Sequence, residues 1–562
     1  LRKIIHLLFV VLPILALAQN SSSQDSLIRI SAQLQFVDEA SYPGAVIYSK
    51  EGASRVFVEH NGAQLYCDQA VFYEKENFVR ALGNVQMIQG DTITMNSDYA
   101  EYNGTTELAF ASGNVSMRSP ESVLQTDTLF FYRKKQQALY RSGGTVKDTA
   151  STLTSKKGRF YINEKKYEFL QDVVVNHPEY NINSDHINFY TESGHAYLYG
   201  PSTIKGSSST VYCERGFYDT RNDNGYFIQE AQIDYRNRTM RGDSLYFNRT
   251  KNFASATNNI VVIDTLNHSI ITGHYAEVYK DKDSVMITKR PVAISTKDAD
   301  STYFHADTLL VTGPKENRVL RGFKDVRIYR KDFSARCDSL YSEERTGKSQ
   351  LIRKPVMWSG KSQITGDSIH IQSDTTSNKL DQLRVFYNAF VVDQDSIQGG
   401  FNQIKGRELI GDFKDNELYR VNIYKNVENL VYNYNDRQEL IGINKGTSGR
   451  MEIFIENQEM VKVRNYESPE DVTYPEAELP ENARSLRGLN WRIEEKINGL
   501  EELFKGKPEP QLIKIKGLDP PEVSKGFFTP VMSKPNKYSR LKEQDLTNRA
   551  TTLTSPPVRS KK

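Results

Sequence analysis

At 562 residues the chain exceeds one ordinary core of about 150 residues. A formal net charge of only +3 is nearly balanced and argues neither for a nucleic-acid partner nor for general adsorption to membranes, so any basic patch is local. Repeat architectures escape the length limit because they grow along one axis, and 32 Tyr with 26 Phe favour strands as the repeating unit.

The chain opens on Arg2 and Lys3, an apolar run from Ile4, and Ala16-Leu17-Ala18. A positive start, a short apolar stretch and small residues at −3 and −1 predict a cleaved signal peptide over residues 1–18 and export. Residues 19–50 read as a lead-in. From residue 51 to residue 465 a short anchor recurs: a small residue, usually Asp, then alternating apolar positions. It stands as Cys67-Asp68-Gln69-Ala70-Val71-Phe72, Ser97-Asp98-Tyr99-Ala100-Glu101-Tyr102 and Thr126-Asp127-Thr128-Leu129-Phe130-Phe131. It returns at Asp185 with Ile187 and Phe189, at Asp243 with Leu245 and Phe247, at Asp307 with Leu309, at Asp338, and at Asp367 with Ile369 and Ile371. Degenerate copies fit near Gly158, Glu214 and His274, and looser ones near Arg407 and Gly449. The period is close to about 30 residues, the mark of a repeat array.

About fifteen residues after each anchor comes a second alternating segment, broken by a turn pair before Val or Ile. Gly83-Asn84-Val85, Gly113-Asn114-Val115, Asn258-Asn259-Ile260 and Lys324-Asp325-Val326 are its copies. Each repeat is thus a strand pair that buries its apolar face only by stacking on the next. If each repeat adds one strand to each of two sheets, the stack rises about 4.8 Å per copy. Period-two alternation puts Asp127, Leu129 and Phe131 on one face, and likewise Asp243, Leu245 and Phe247, and Asp367, Ile369 and Ile371. The inward row is either a packed core or a slot for an apolar ligand.

The array gives way to a linker and a short amphipathic helix over residues 466–510. Leu486, Leu489, Ile493, Ile497, Leu500 and Phe504 stand at helical spacing, and Gly488 and Gly499 weaken the helix. A cap on the open end of the stack is favoured over a docking helix. Residues 511–562 read as a disordered Pro- and Lys-rich tail.

No catalytic constellation, metal-binding spacing or cofactor motif occurs, which points away from an enzyme. Cys67, Cys213 and Cys337 share one repeat position, so they lie roughly 24 and 19 Å apart along the stack, far beyond disulfide reach. The recurring Asp residues fit a hydrogen-bonding role at strand starts better than a glycosidase pair, which would be a single placed pair. Asp-Ser/Thr-aliphatic triplets such as Asp243-Ser244-Leu245 also match an O-glycosylation acceptor, although the repeat already accounts for them.

The signal peptide, the small-Asp-x-aliphatic-x-aromatic anchors and the Gly-Asn-Val strands resemble the OstA-like family. That family includes LptA-type periplasmic lipopolysaccharide transport proteins and the N-terminal domain of LptD-type proteins. The resemblance spans roughly residues 50–465, and its length is that of OstA-like proteins in Bacteroidota. It implies an all-β fold: an elongated twisted β-jellyroll, open along one edge, whose interior shelters lipid acyl chains. The inward positions that would touch lipid are Phe72, Tyr102, Leu129, Phe131, Ile187, Phe189, Leu245, Phe247, Leu309, Ile369 and Ile371 from the anchors, with Val85, Val115, Ile260 and Val326 from the second strands. The resemblance further implies a periplasmic protein, associated with the outer membrane, with partners in lipopolysaccharide (through its lipid A acyl chains), other envelope transport proteins and further copies stacked end to end. Two features depart from the family: the array is longer than in an LptA-type protein, and no barrel-like strands with aromatic girdles follow it. The competing possibility is a structural or adhesive exported repeat protein with a closed core and no lipid cargo.

Overall fold

The computed structural model describes residues 27–518, apart from short stretches at 91, 121, 208, 236, 267, 297–300, 315–316, 378 and 457–458. The expected signal peptide and the tail beyond 518 lie outside the described residues. The chain divides into two compact units, residues 1–178 and 179–562, so the expected 51–465 array spans the division. Among the described residues no helix is long and apolar enough to cross a membrane.

In the first unit the working element is a long antiparallel strand folded at its middle. Phe78–Gln89, Ile93–Asn103, Leu108–Arg118 and Val123–Tyr132 are successive examples. The ladder pairs Leu82 with Tyr99, then skips to Val85 with Ser97, leaving Gly83 and Asn84 opposite Asp98. Both skipped residues take positive φ, +73° and +47°, a conformation that glycine adopts freely and Asn tolerates best among the rest. Two left-handed residues in a row turn the strand, and the neighbouring Asp fastens the bend. Asn84 Nδ2 donates to Asp68 and Asn114 Nδ2 to Asp98, both at 2.7 Å. The anchor Asp is thus a corner fastener, as a strand-start hydrogen-bonding role requires.

The corner corrects one expectation. A single residue at the bend interrupts the alternation of an anchor strand: Leu124 and Leu129, five apart, are both buried, while Asp127 between them is exposed. Asp127 therefore does not share the inward face of Leu129 and Phe131. Asp367 is likewise exposed beside buried Ile369.

Each fold divides its strand between two sheets. One sheet holds Phe78–Leu82, Tyr99–Asn103, Leu108–Ser112 and Thr128–Tyr132; the other holds Val85–Gln89, Ile93–Ser97, Val115–Arg118 and Val123–Thr126. The two sheets join at the corners and face each other. The lead-in is not separate from them: Arg29–Ser31 pairs with Val56–His60, and Val46–Ser49 with Gln69–Tyr73.

The second unit repeats the device from Tyr180–Tyr190 to Leu440–Glu456, and ends on Glu459–Tyr466 and Glu470–Tyr474. Its corners use Asn258-Asn259, Lys324-Asp325, Tyr387-Asn388 and Lys425-Asn426, all with positive φ. Asn259 and Asn388 bond Asp243 and Asp367 as their counterparts do in the first unit. The interior cluster includes Leu309, Val326, Leu340, Leu351, Ile369, Leu383, Leu409 and Ile423.

The expected amphipathic helix does not form. Residues 475–517 make an irregular strap with 3₁₀ turns at Glu481–Ala483, Ile493–Glu495 and Leu500–Phe504. Gly488 takes φ +104° and Gly499 is extended, which breaks helical continuity. Side chains from the sheet take the main-chain groups a helix would have paired internally. Gln403 donates to Arg484 O at 2.9 Å and accepts from Leu486 N at 2.7 Å; Gln363 does the same with Asn490 O and Arg492 N, both at 2.7 Å. Arg327 bonds the carbonyls of Leu503 and Lys505, and Asn258 both donates to and accepts from Ile513. The strap covers the outer sheet face: Phe390 packs with Leu430, Tyr432, Leu479 and Leu486, while its neighbour Ala389 packs in the interior.

Candidate functional site

The apolar interior between the facing sheets is the candidate site. In the first unit Val85, Tyr102, Val115, Leu129 and Phe131 are buried there, and Phe72 is half-buried opposite buried Val79. In the second unit Ile187, Leu245, Ile260, Leu309, Val326, Ile369 and Ile371 are buried. Phe189 and Phe247 are half-buried, and Phe247 stacks on fully buried Phe227 at 5.6 Å between ring centroids. The expected inward positions thus fall into two separate sets, one in each unit.

Sequence reasoning missed the residues that face Phe131. Met87, Met95 and Met117 pair in a single cross-strand row, and Leu124 continues it. The row lies in the strand halves beyond the corners, two residues after Val85 and Val115. That spacing was the available signal. With Ile93, Gln89 and Phe131 the three methionines border a void of about 10 Å³, room for about one water. Methionine is the side chain best suited to give way, because its thioether chain is unbranched and flexible.

A larger recess, about 520 Å³, lies elsewhere, on the second unit beside the end of the strap. Its walls mix polar and apolar groups, among them Ile228, Glu230, Arg241, Asp243, Asn259 and Ile515. Among the described residues no group of three or more His, Cys, Asp or Glu is placed to hold a metal ion. All three cysteines are buried and free; desolvation pushes the Cys67 and Cys337 thiols up to about 12 and raises Cys213 as well.

Opposite the corners the first unit ends in a pair of turn rows. The turns carrying Glu107 and Arg133 end one sheet, and those carrying Asn61 and Gln89 end the other. Polar contacts join the two rows: Asn61 Nδ2 to Glu107 at 3.3 Å and Gln89 Nε2 to Gln136 at 3.3 Å.

Tandem corner-folded strands, two facing sheets and an apolar seam between them define a β-jellyroll built from repeats. Residues 38–185 match the family model described as OstA-like protein. Among solved structures it is similar to LptH, described as the LptA-homologous periplasmic component of the lipopolysaccharide transport device from Pseudomonas aeruginosa. That likeness has 12% identity and a TM-score of 0.20, and covers 26% of this chain and 99% of that one. No curated protein matches the chain.

Proposed function

We propose that the protein binds lipopolysaccharide in the periplasm and passes it on during outer-membrane assembly, sheltering acyl chains between its facing sheets. The observation that carries this proposal is the apolar lining between the facing sheets of the OstA-like stretch, with the methionine row opposite Phe131 as its most adaptable wall. A ligand pocket of ordinary size holds roughly 300–1,000 Å³, far above the void present, so cargo enters by parting the sheets. Other envelope transport proteins are the partners this role calls for. End-to-end self-association is supported by the terminal strand Glu459–Tyr466, which exposes Met460, Val461 and Val463.

A second possibility, a structural or adhesive repeat protein without cargo, is favoured by the same small void, since a closed core needs no more. Photo-crosslinking residues separate the two. Placed at Phe131 or Phe247, they label lipopolysaccharide while probes at Thr128 or Ser244 do not. Equal labelling of both faces, or none inside, refutes the transport role. Depletion should also leave newly made lipopolysaccharide short of the outer membrane.

A further inference from the structure

The strap crosses the second unit by meeting one corner after another, in descending order of residue number. Arg492 donates to Lys354 O at 3.1 Å, Lys507 Nζ reaches Asp325 at 3.0 Å, Glu509 pairs with Arg290 at 2.6 Å, and Ile513 exchanges two hydrogen bonds with Asn258. Those partners belong to the corners Arg353-Lys354, Lys324-Asp325, Lys289-Arg290 and Asn258-Asn259. Charge is matched along the way. Glu495 lies 3.8 Å from Arg336 and Glu509 lies on Arg290, whereas Lys507 lies on the carboxylates of Asp307 and Asp325.

The next corner is Gln229-Glu230, with φ of +58° and +56°. It stands two strands from Asn258-Asn259, about 10 Å, and Gly242-Asp243 lies on the strand between. Three extended residues cover that distance, so the strap arrives there with Ile515 and Gly517. Both border the recess of about 520 Å³, as do Gln229, Glu230, Gly242 and Asp243. Gly517 thus stands at the edge of a space within the usual range for a bound ligand.

The recess holds a cation in a fixed pose. Arg241 Nε donates to Gln232 Oε1 at 2.9 Å, and Gln232 Nε2 donates to both Asp234 oxygens at 2.9 Å. Of the two carboxylates in its walls, Asp243 accepts from Asn259 Nδ2 at 3.0 Å and Glu230 is exposed to water. Ile228, Ala231 and Ile515 give it apolar wall. The sequence after Gly517 runs Leu518-Asp519-Pro520-Pro521-Glu522, and Asp519 is the first acid after Glu509. An acid on Arg241 continues the pairing already made on Arg336 and Arg290. The two prolines carry no N–H to satisfy and favour an extended backbone, which suits a stretch lying on side chains rather than on a strand edge.

We infer that residues 519–522 occupy this recess, with the Asp519 carboxylate on the Arg241 guanidinium. The chain's own C-terminal segment is the ligand of this surface, and the strap covers one corner more. The contact lies apart from the apolar seam, so it stands or falls independently of the lipid-sheltering role.

The test is a double-mutant cycle on the full chain, read as the rate of trypsin cleavage after Lys516, which requires the strap on either side to leave the corners. Asp519→Asn and Arg241→Gln should each speed that cleavage about threefold, and the double variant should be no faster than the faster single, since both remove one contact. Asp519→Asn changes no residue of the sheets, so it reads the contact even where Arg241→Gln disturbs its own strand. Protection should survive an about hundredfold dilution, as an intrachain contact must. Cleavage of Asp519→Asn at the wild-type rate, or two effects that multiply in the double variant, overturns the pairing. Protection that is lost on dilution, with a dimer seen by light scattering, gives the recess to the segment of a second copy and overturns the intrachain occupant.

Discussion

Replacing Gln403 by Met tests whether the strap is held by side-chain amides or only by apolar packing. Gln403 is fully buried, and its amide donates to Arg484 O and accepts from Leu486 N. Methionine nearly preserves the volume and removes both bonds, leaving the Leu486 N–H and the Arg484 carbonyl without their partner. A buried orphan group costs about 1–3 kcal/mol, so local opening of the strap becomes easier by about 2–4 kcal/mol. At about 1.4 kcal/mol per decade, the Leu486 amide should exchange with deuterium roughly 30 to 1,000 times faster. Exchange at Ile423, in the interior cluster, should not change. An acceleration at Leu486 below about fivefold would mean that Phe390, Leu430 and Tyr432 hold the strap without the amide, and the hydrogen-bond account would be wrong.

Three further outcomes follow from the corners, the thiols and the strap. Gly113→Ala places a Cβ at φ +75° and 2.7 Å from Asp98 Oδ2. It should cost about 2–4 kcal/mol, seen as an earlier urea transition of the first unit; an unchanged midpoint contradicts the corner. The three cysteines should resist iodoacetamide at pH 8 in the native protein and all react in urea; native labelling of any one contradicts its burial. Burial holds the His305 imidazole down at about 4, facing Lys507, Asp307, Asp325 and Arg327 under the strap. The unfolded state binds its proton first, so the strap should loosen as pH falls from about 6.5 toward 4 and lose nothing more from His305 below that. Protease release of the strap across that window reads this directly, and His305→Gln should flatten the profile.

Much of the fold was legible because each repeat writes its corner twice, once as Asp and once as the turn pair facing it. Gly83-Asn84 and Gly113-Asn114 announce the bend by residues suited to positive φ. Lys324-Asp325 and Lys425-Asn426 bend the same way without glycine, and only their place in the period gave them away. Of the fifteen inward positions named, twelve are buried, because alternation within each half-strand is a local rule. Alternation failed at Asp127, where a bulge resets the face, a property of the pairing rather than of the strand. The strap was misread for a related reason. Its apolar spacing suits a helix, but its backbone partners Gln363, Gln403 and Asn258 lie 81 to 255 residues away. The bonds from Arg133 to the carbonyls of His60 and Asn61 were equally hidden, since nothing local marks an arginine that bonds a carbonyl 72 or 73 residues earlier.

The strap also sets an order of events. Each folded strand pairs with its neighbours in sequence, so the stack can zip from the N-terminus as the chain emerges. Asn258 must wait for Ile513, 255 residues later. Closing so long a loop is slow compared with the hairpins, so the strap records that synthesis has passed residue 513. A chain cut short before residue 480 would carry the repeats but leave Gln363 and Gln403 facing water. The same face that is dry beneath the strap would then be a wet, exposed apolar patch, a mark by which quality-control proteases could tell a molecule that lacks the strap from one that has it.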